Sequence, residues 1–97
     1  MISVIIPTFK RPDLLERLLM SISEQTLQPN EVIVIDDASN MNDAYEVCIE
    51  KFKTRIPKLI YKCLENNSGA PHARNVGIQL AKNEWLALVD DDDEWLP

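Results

Sequence analysis

The sequence predicts an α/β fold built on a mostly parallel sheet, on three observations. Short, β-branched apolar runs alternate with longer segments of helical periodicity, the order expected of linked β-α-β units. The first two runs are apolar at almost every position, the pattern of strands covered on both faces rather than one. The joining stretches are short, and no repeat, low-complexity segment or linker interrupts the 97 residues, so a single domain is expected.

Each element has its own signal. Ile2-Ser3-Val4-Ile5-Ile6 is the first strand, expected to end at Pro7 because proline cannot donate to a ladder. In RPDLLERLLMSISEQ, Leu14, Leu15, Leu18, Leu19 and Ile22 fall on one helical stripe. Pro12 suits the first helical position there, and Asp13 suits the positive end of the helix dipole. Glu31-Val32-Ile33-Val34-Ile35 is the second strand, ending at Asp36-Asp37. ASNMNDAYEVCIEKF reads as a turn and a helix, with Asn40 and Asn42 as candidate caps. Leu59 to Leu64 is a third, more polar strand, which suits a sheet edge. ENNSGAPHARN is a polar loop from which a helix starts near Pro71 and runs through Val76, Ile78, Leu80 and Ala81. Trp85-Leu86-Ala87-Leu88-Val89 is the fourth strand. The expected architecture is a Rossmann-like three-layer parallel sheet in the order 3-2-1-4, with strand one central and right-handed crossovers.

Composition narrows the function. Hydrophobic residues at 45% allow a packed core and argue against disorder. The net charge of −6 is local: of 16 acidic side chains, Asp90, Asp91, Asp92, Asp93 and Glu94 stand together, and without them the excess over the 10 basic ones nearly vanishes. A nucleic-acid binder would show a basic face instead. Cys48 and Cys63 have no metal-ligand spacing and are expected to be reduced packing residues. The opening MISVIIPTFKRP lacks the basic region and apolar length of a signal peptide, and no run approaches a membrane span. A cytoplasmic location is expected, with membrane association left to a longer protein.

In such a sheet, ligands bind beyond the carboxyl ends of the strands. There lie Pro7-Thr8-Phe9, Asp36-Asp37 and Asp90 to Asp93. Four adjacent carboxylates stay ionised cheaply only if a cation joins them. Asp90 and Asp92 can face the same way in extended chain, and hard oxygen ligands of this kind suit Mg²⁺ or Mn²⁺ with phosphate oxygens. A solvated acidic chain end is the plainer account, and a turn or helix cap is the plainer account of Asp36-Asp37. With only two glycines, Gly69 and Gly77, the chain has neither a dinucleotide fingerprint nor a Walker loop.

Taken together, SVIIPTFKRPDLLERLLMSISEQT, EVIVIDDAS and NNSGAPHARNVGIQLAKNEWLALVDDDDEWLP resemble the family 2 glycosyltransferases, inverting enzymes of the GT-A fold, over essentially the whole chain. The resemblance implies the N-terminal, donor-binding portion of such a domain over residues 1–97. Its partner would be a nucleotide-diphosphate sugar, a UDP-sugar by expectation, with Mn²⁺ or Mg²⁺ as cofactor. Pro7, Thr8 and Phe9 match the loop that touches the nucleoside, and Asp37 matches the acid that hydrogen-bonds the uracil edge, with Asp36 beside it. Gly69 and Arg74 match the segment over the base and diphosphate. Asp90 to Asp92 resemble the D-x-D motif, with Asp92 the direct metal ligand and Asp90 or Asp91 reaching the ribose or a metal-bound water; Asp90 is the second metal candidate and Asp93 the weakest of the four. A divalent ion there would neutralise the departing diphosphate, and Arg74 could add a second cation. The acceptor site and catalytic base are implied beyond Pro97, so no catalytic residue is assigned and these residues alone are expected to bind donor without transferring it. His72 is expected to be exposed and non-catalytic.

Three other readings compete. A receiver domain would place its acidic pair after strand one, where Pro7-Thr8-Phe9 stands. A nucleotidyltransferase would carry a glycine-rich loop there. A non-catalytic nucleotide-binding or interaction domain is separated from an enzyme only by assay. Self-association is expected through the edge at Trp85 to Val89 and apolar surface including Trp95 and Leu96.

Overall fold

The computed structural model describes residues 1–56 and 58–93. Seven elements alternate along the chain: β1 (Ile2–Thr8), α1 (Pro12–Ser23), β2 (Glu31–Asp36), α2 (Asn42–Phe52), β3 (Leu59–Cys63), α3 (Ala70–Leu80) and β4 (Trp85–Leu88). The strands form one four-stranded sheet in the order β3-β2-β1-β4, every pairing parallel, as the sequence predicts.

The near-continuous apolar runs find their reason in two cores. Val4 and Ile6 of β1 and Val32 and Val34 of β2 face one side, packed on Leu15, Leu18, Leu19 and Ile22 of α1 and on Tyr45, Cys48, Ile49 and Phe52 of α2. Ile5, Ile33 and Ile35 face the other, packed on Ala73 and Val76 of α3. Alternate side chains of a strand point to opposite faces, so both faces must be apolar and the pattern loses its alternation. The architecture is therefore helices, sheet, helix in three layers. Both cysteines are free, and burial pushes the Cys48 thiol up to about 11, far from reactive at neutral pH.

Two local expectations need correction. Pro7 does not end the first strand, which runs through Thr8. Val89 N–H donates to the Ile5 carbonyl and Asp37 N–H to the Thr8 carbonyl, so odd residues of β1 turn their backbone toward β4 and even ones toward β2. The absent N–H of Pro7 thus faces a side on which the β1–β4 pairing has already stopped, at Ile5↔Leu88, and no ladder bond is lost. Nor does Asn40 or Asn42 cap α2. The cap position is Met41, with no side-chain cap bond, and Asn42 is already the first helical residue. Asn40 instead takes a left-handed φ of 58° within the turn, a conformation asparagine tolerates better than most.

At the amino end of the sheet, Glu31 binds three segments together. Its Oε1 accepts from Ser3 Oγ at 2.7 Å and from Lys82 N–H at 2.6 Å, while Asn83 Nδ2 donates to Ser3 Oγ at 3.0 Å. Burial alone would raise the Glu31 carboxyl, but the Ser3 and Lys82 hydrogen bonds and the Lys82 and Lys58 charges outweigh it and leave it below its ordinary 4.5. At the sheet edge, β4 exposes Trp85, Leu86 and Leu88. Trp95 and Leu96 lie outside the described residues. Among the described residues, no helix is long and apolar enough to cross a membrane.

Two outcomes are expected. A Cβ at Gly77 would stand 2.5 Å from Ile5 Cγ2 and 3.3 Å from its Cγ1, with Ile5 fully buried between α3 and the sheet. Gly77→Ala should therefore destabilise by about 1–3 kcal/mol, less roughly 1 kcal/mol of regained helix propensity. Urea denaturation measures it, and an unchanged midpoint would mean that α3 lifts off β1 freely. Because folding depresses the Glu31 carboxyl, its contribution is present above the unfolded-state value and lost as pH falls through the folded one. Glu31→Gln should thus be less stable than the native chain at neutral pH, and the gap should close on acidification; melting curves from pH 7 to 3 that stay parallel would contradict this.

Candidate functional site

Parallel pairing brings the ends of β1, β2 and β4 to one rim of the sheet. There a cleft of about 220 Å³ is lined by Pro7, Thr8, Phe9, Arg11, Asp37, Ala70, Asp90, Asp91 and Asp92. Ala70 begins α3, so the positive end of that helix opens onto the cleft. A wider groove of about 890 Å³ between α2 and β3 is less suited to chemistry. Its lysines are already matched, Lys53 with Glu50 at 3.0 Å and Lys51 with Glu16 at 2.8 Å.

The two acids after β2 do different things. Asp36 lies on the α2 side, fully buried, and does not line the cleft. Its Oδ1 accepts from the Ser39 N–H at 3.1 Å and from the Ser39 hydroxyl, and its Oδ2 accepts from Tyr61 Oη at 2.7 Å. Burial, and then the bond and charge of Asp36, push the Tyr61 phenol well above its ordinary value, so it stays a donor. Asp37 turns the other way, and its carboxylate accepts Ser68 N–H at 2.9 Å and Gly69 N–H at 2.8 Å. Asn67 Nδ2 donates to the Asp37 carbonyl at 3.1 Å. The polar loop before α3 is thereby tied to the end of β2. Gly69 holds a φ of 93°, which only glycine adopts without strain, and this conformation aims its N–H at Asp37. Each Asp37 oxygen keeps a further lone pair for a ligand.

The acidic run folds into a tight turn. Asp93 N–H donates to the Asp90 carbonyl at 3.0 Å, and Asp90 N–H donates to Asp93 Oδ2 at 3.1 Å. Asp90, Asp92 and Asp93 are exposed, and one carboxylate oxygen from each lies within 4.8 Å of the others. Asp91 points inward and is 5% exposed. Its Oδ2 accepts the Thr8 hydroxyl at 2.9 Å, and its Oδ1 accepts Arg11 Nη1 at 3.2 Å. Arg74 does not line the cleft itself; from α3 its Nη2 reaches Asp90 Oδ1 at 3.0 Å. Three converging hard oxygen donors, with arginines at their flanks, fit a divalent cation whose remaining positions are filled by an anionic ligand.

Most of the residues singled out from sequence thus meet: Pro7, Thr8, Phe9, Asp37, Asp90, Asp91 and Asp92 on the cleft wall, Arg74 one contact behind, and Gly69 through its backbone. Asp36 does not join them. The sequence gives no signal for Arg11, Tyr45 or Ala70, nor for the hydrogen bonds by which Asp93 closes the turn. Arg11 precedes the helix-start proline, where a basic side chain carries no signal of its own. His72 is exposed on α3, as expected.

The comparisons with known proteins agree with this fold. The family model described as glycosyl transferase family 2 matches residues 3–97. A glycosyltransferase of Haemophilus influenzae is 35% identical over 97 residues, covering 100% of this chain and 31% of its own length. The crystal structure of Staphylococcus aureus TarS 1-349 in complex with UDP-GlcNAc superposes with a TM-score of 0.82 at 36% identity, covering 96% of this chain and 27% of that one. The mannosyltransferase PcManGT of Pyrobaculum calidifontis, in complex with GDP-Man and Mn²⁺, superposes with a TM-score of 0.82 at 29% identity, covering 97% and 28%. The chain spans about a third of the length of the curated relatives it matches.

The Asp37 clamp makes a direct expectation. In Asp37→Asn one oxygen becomes an N–H₂ facing a backbone N–H, so one of the two bonds to the loop is lost. The cost should be about 1–3 kcal/mol, with faster amide exchange confined to Ser68 and Gly69. Unchanged exchange at both amides would show that the loop holds without the carboxylate.

Proposed function

The chain belongs to glycosyl transferase family 2, and from that membership and the cleft we propose that residues 1–97 form the donor-binding portion of an inverting glycosyltransferase that takes a uridine-diphosphate sugar with Mn²⁺ or Mg²⁺. One observation carries the reading: a single cleft is walled by Phe9 and Asp37 at one side and by the acidic turn, flanked by Arg11 and Arg74, at the other. Phe9 is 40% exposed and offers a ring face to a base. The free lone pairs of Asp37 accept the imide N–H of uracil, which cytosine lacks, and this is the kind of filter that discriminates well. Asp92 and Asp90, with Asp93, would hold the cation. When bound, that ion supplies the positive charge that makes diphosphate a better leaving group. Arg74 is tied to Asp90 as the site stands, and is placed to turn to a diphosphate oxygen once the carboxylate has another cation. The start of α3 adds the partial positive charge of its free N–H groups. Transfer to an acceptor, with its base, is proposed for a protein of the relatives' length, in which these residues supply the donor side. The two similar structures, one holding a UDP-sugar and the other a GDP-sugar, share this fold, so the choice of base rests on Asp37 and its surroundings rather than on topology.

Calorimetric titration with UDP, CDP and GDP, in Mn²⁺ and in chelator, tests the whole reading. UDP should bind at least about tenfold more tightly than CDP, and Mn²⁺ should strengthen it by a similar factor, ~1.4 kcal/mol each. Asp92→Ala should abolish the metal effect and leave metal-free UDP binding nearly unchanged. Equal binding of UDP and CDP overturns the role of Asp37; indifference to metal overturns that of the acidic turn.

A further inference from the structure

Within the run of four aspartates, three are exposed with converging oxygens and one, Asp91, is buried and faces away from them. Burying a carboxylate in a turn is costly, and an apolar side chain there would be cheaper for the fold alone. What holds Asp91 is a directed chain of hydroxyls. Thr8 Oγ1 lies 2.9 Å from Asp91 Oδ2 and 2.8 Å from Tyr45 Oη, and Tyr45 Oη lies 2.9 Å from the Arg11 N–H. Thr8 has one hydroxyl proton, and an ionised carboxylate can only accept. The Thr8 proton therefore goes to Asp91, the Tyr45 proton to Thr8, and the Arg11 N–H to Tyr45. Arg11 closes the circuit by donating Nη1 to the other oxygen of Asp91 at 3.2 Å. Tyr45 itself is fully buried on α2, stacked on Tyr61 with ring centroids 5.7 Å apart, and takes no part in lining the cleft.

We propose that Tyr45 and Thr8 are positioning residues which, through Asp91, hold the 90–93 turn in the shape that presents Asp90, Asp92 and Asp93 to a divalent cation. The inference rests on the reading of that turn as the cation site, and deepens it: Asp91 is the turn's anchor, not a ligand. Without the Thr8 hydroxyl, Asp91 loses its inward donor. The buried carboxylate then swings toward water, and the three carboxylates beside it lose their common focus. Without the Tyr45 hydroxyl, the Thr8 proton is free to turn elsewhere and the same anchor loosens.

Mn²⁺ titration followed by electron paramagnetic resonance, on the protein at its natural length and in the presence of UDP, tests this alongside thermal melting. Tyr45→Phe keeps the ring and its stacking, and Thr8→Val keeps the shape of the side chain. Both should weaken Mn²⁺ binding about tenfold or more, the range found when groups behind metal ligands are removed. Thr8→Ser, which returns the hydroxyl, should recover the affinity. UDP binding in chelator should be unaltered in Tyr45→Phe. If Tyr45→Phe and Thr8→Val lower the melting temperature but bind Mn²⁺ as the native chain does, the hydroxyls serve the fold alone and the proposal falls. If Thr8→Ser is as weak as Thr8→Val, the methyl group is what matters and it falls equally. A native protein that binds no Mn²⁺ overturns the cation site itself, a failure seen before any variant is compared.

Discussion

β1 is hydrogen-bonded on both sides to strands that run in its own direction, β2 and β4. Parallel pairing sends every carboxyl end to the same rim, and a central strand covered on both faces cannot slip by one residue without turning Ile5 and Ile6 into the wrong cores. Residues separated by more than eighty positions, such as Thr8 and Asp91, meet because of that constraint. Gly77 contributes from the other side: it lets α3 settle against Ile5, and so brings Ala70 and Arg74 to the rim. The cleft is a property of the sheet order before it is a property of any loop.

Three buried carboxylates stand around this rim, and each is satisfied differently. Asp36 takes side-chain hydroxyls and an N–H from its own turn, Asp37 takes backbone N–H groups from a distant loop, and Asp91 takes a hydroxyl and a guanidinium. Buried charge of this density is tolerable only when every oxygen has a donor. Among the described residues, no buried side-chain oxygen or nitrogen lacks a partner. The backbone carries strain here as well. Lys10, Ala38 and Asn40 have φ of 54°, 61° and 58°, and all three follow the ends of β1 or β2. Strain of that kind concentrates where a site must be shaped rather than where a core must be filled.

The strands and helices were legible in the sequence because hydrophobic periodicity is a local record of burial. The first two strands could be placed centrally for the same reason, since only double burial explains their missing alternation. Pro7 was misread because its cost depends on which neighbour its absent N–H faces, and that is set by register with β4, eighty residues away. Asn40 and Asn42 carry the chemistry of caps, but capping depends on backbone angles that composition does not record. At the site, residue type and strand ends pointed to most of the cleft wall and to the acidic turn. Alternation set Asp90 and Asp92 apart from Asp91, but four identical letters do not record that Asp91 is buried against Thr8 and Arg11. Tyr45 was invisible as more than a core aromatic, since its hydroxyl matters through a contact with a strand 37 positions earlier.

The double engagement of Asp37 bears on how such a site can be redesigned. The carboxylate that faces the cleft is also the fastening between β2 and the loop that leads into α3. Any substitution at this position alone would slacken the loop that leads into α3 and Arg74, so that a change in what the cleft accepts is coupled to a change in rigidity. Retargeting therefore has to proceed through other residues of the cleft, at Phe9 or Ala70, or has to supply a second fastening for residues 68 and 69 before Asp37 is released. Evolution on this framework faces the same ordering of steps, with loop reinforcement preceding any exchange of Asp37.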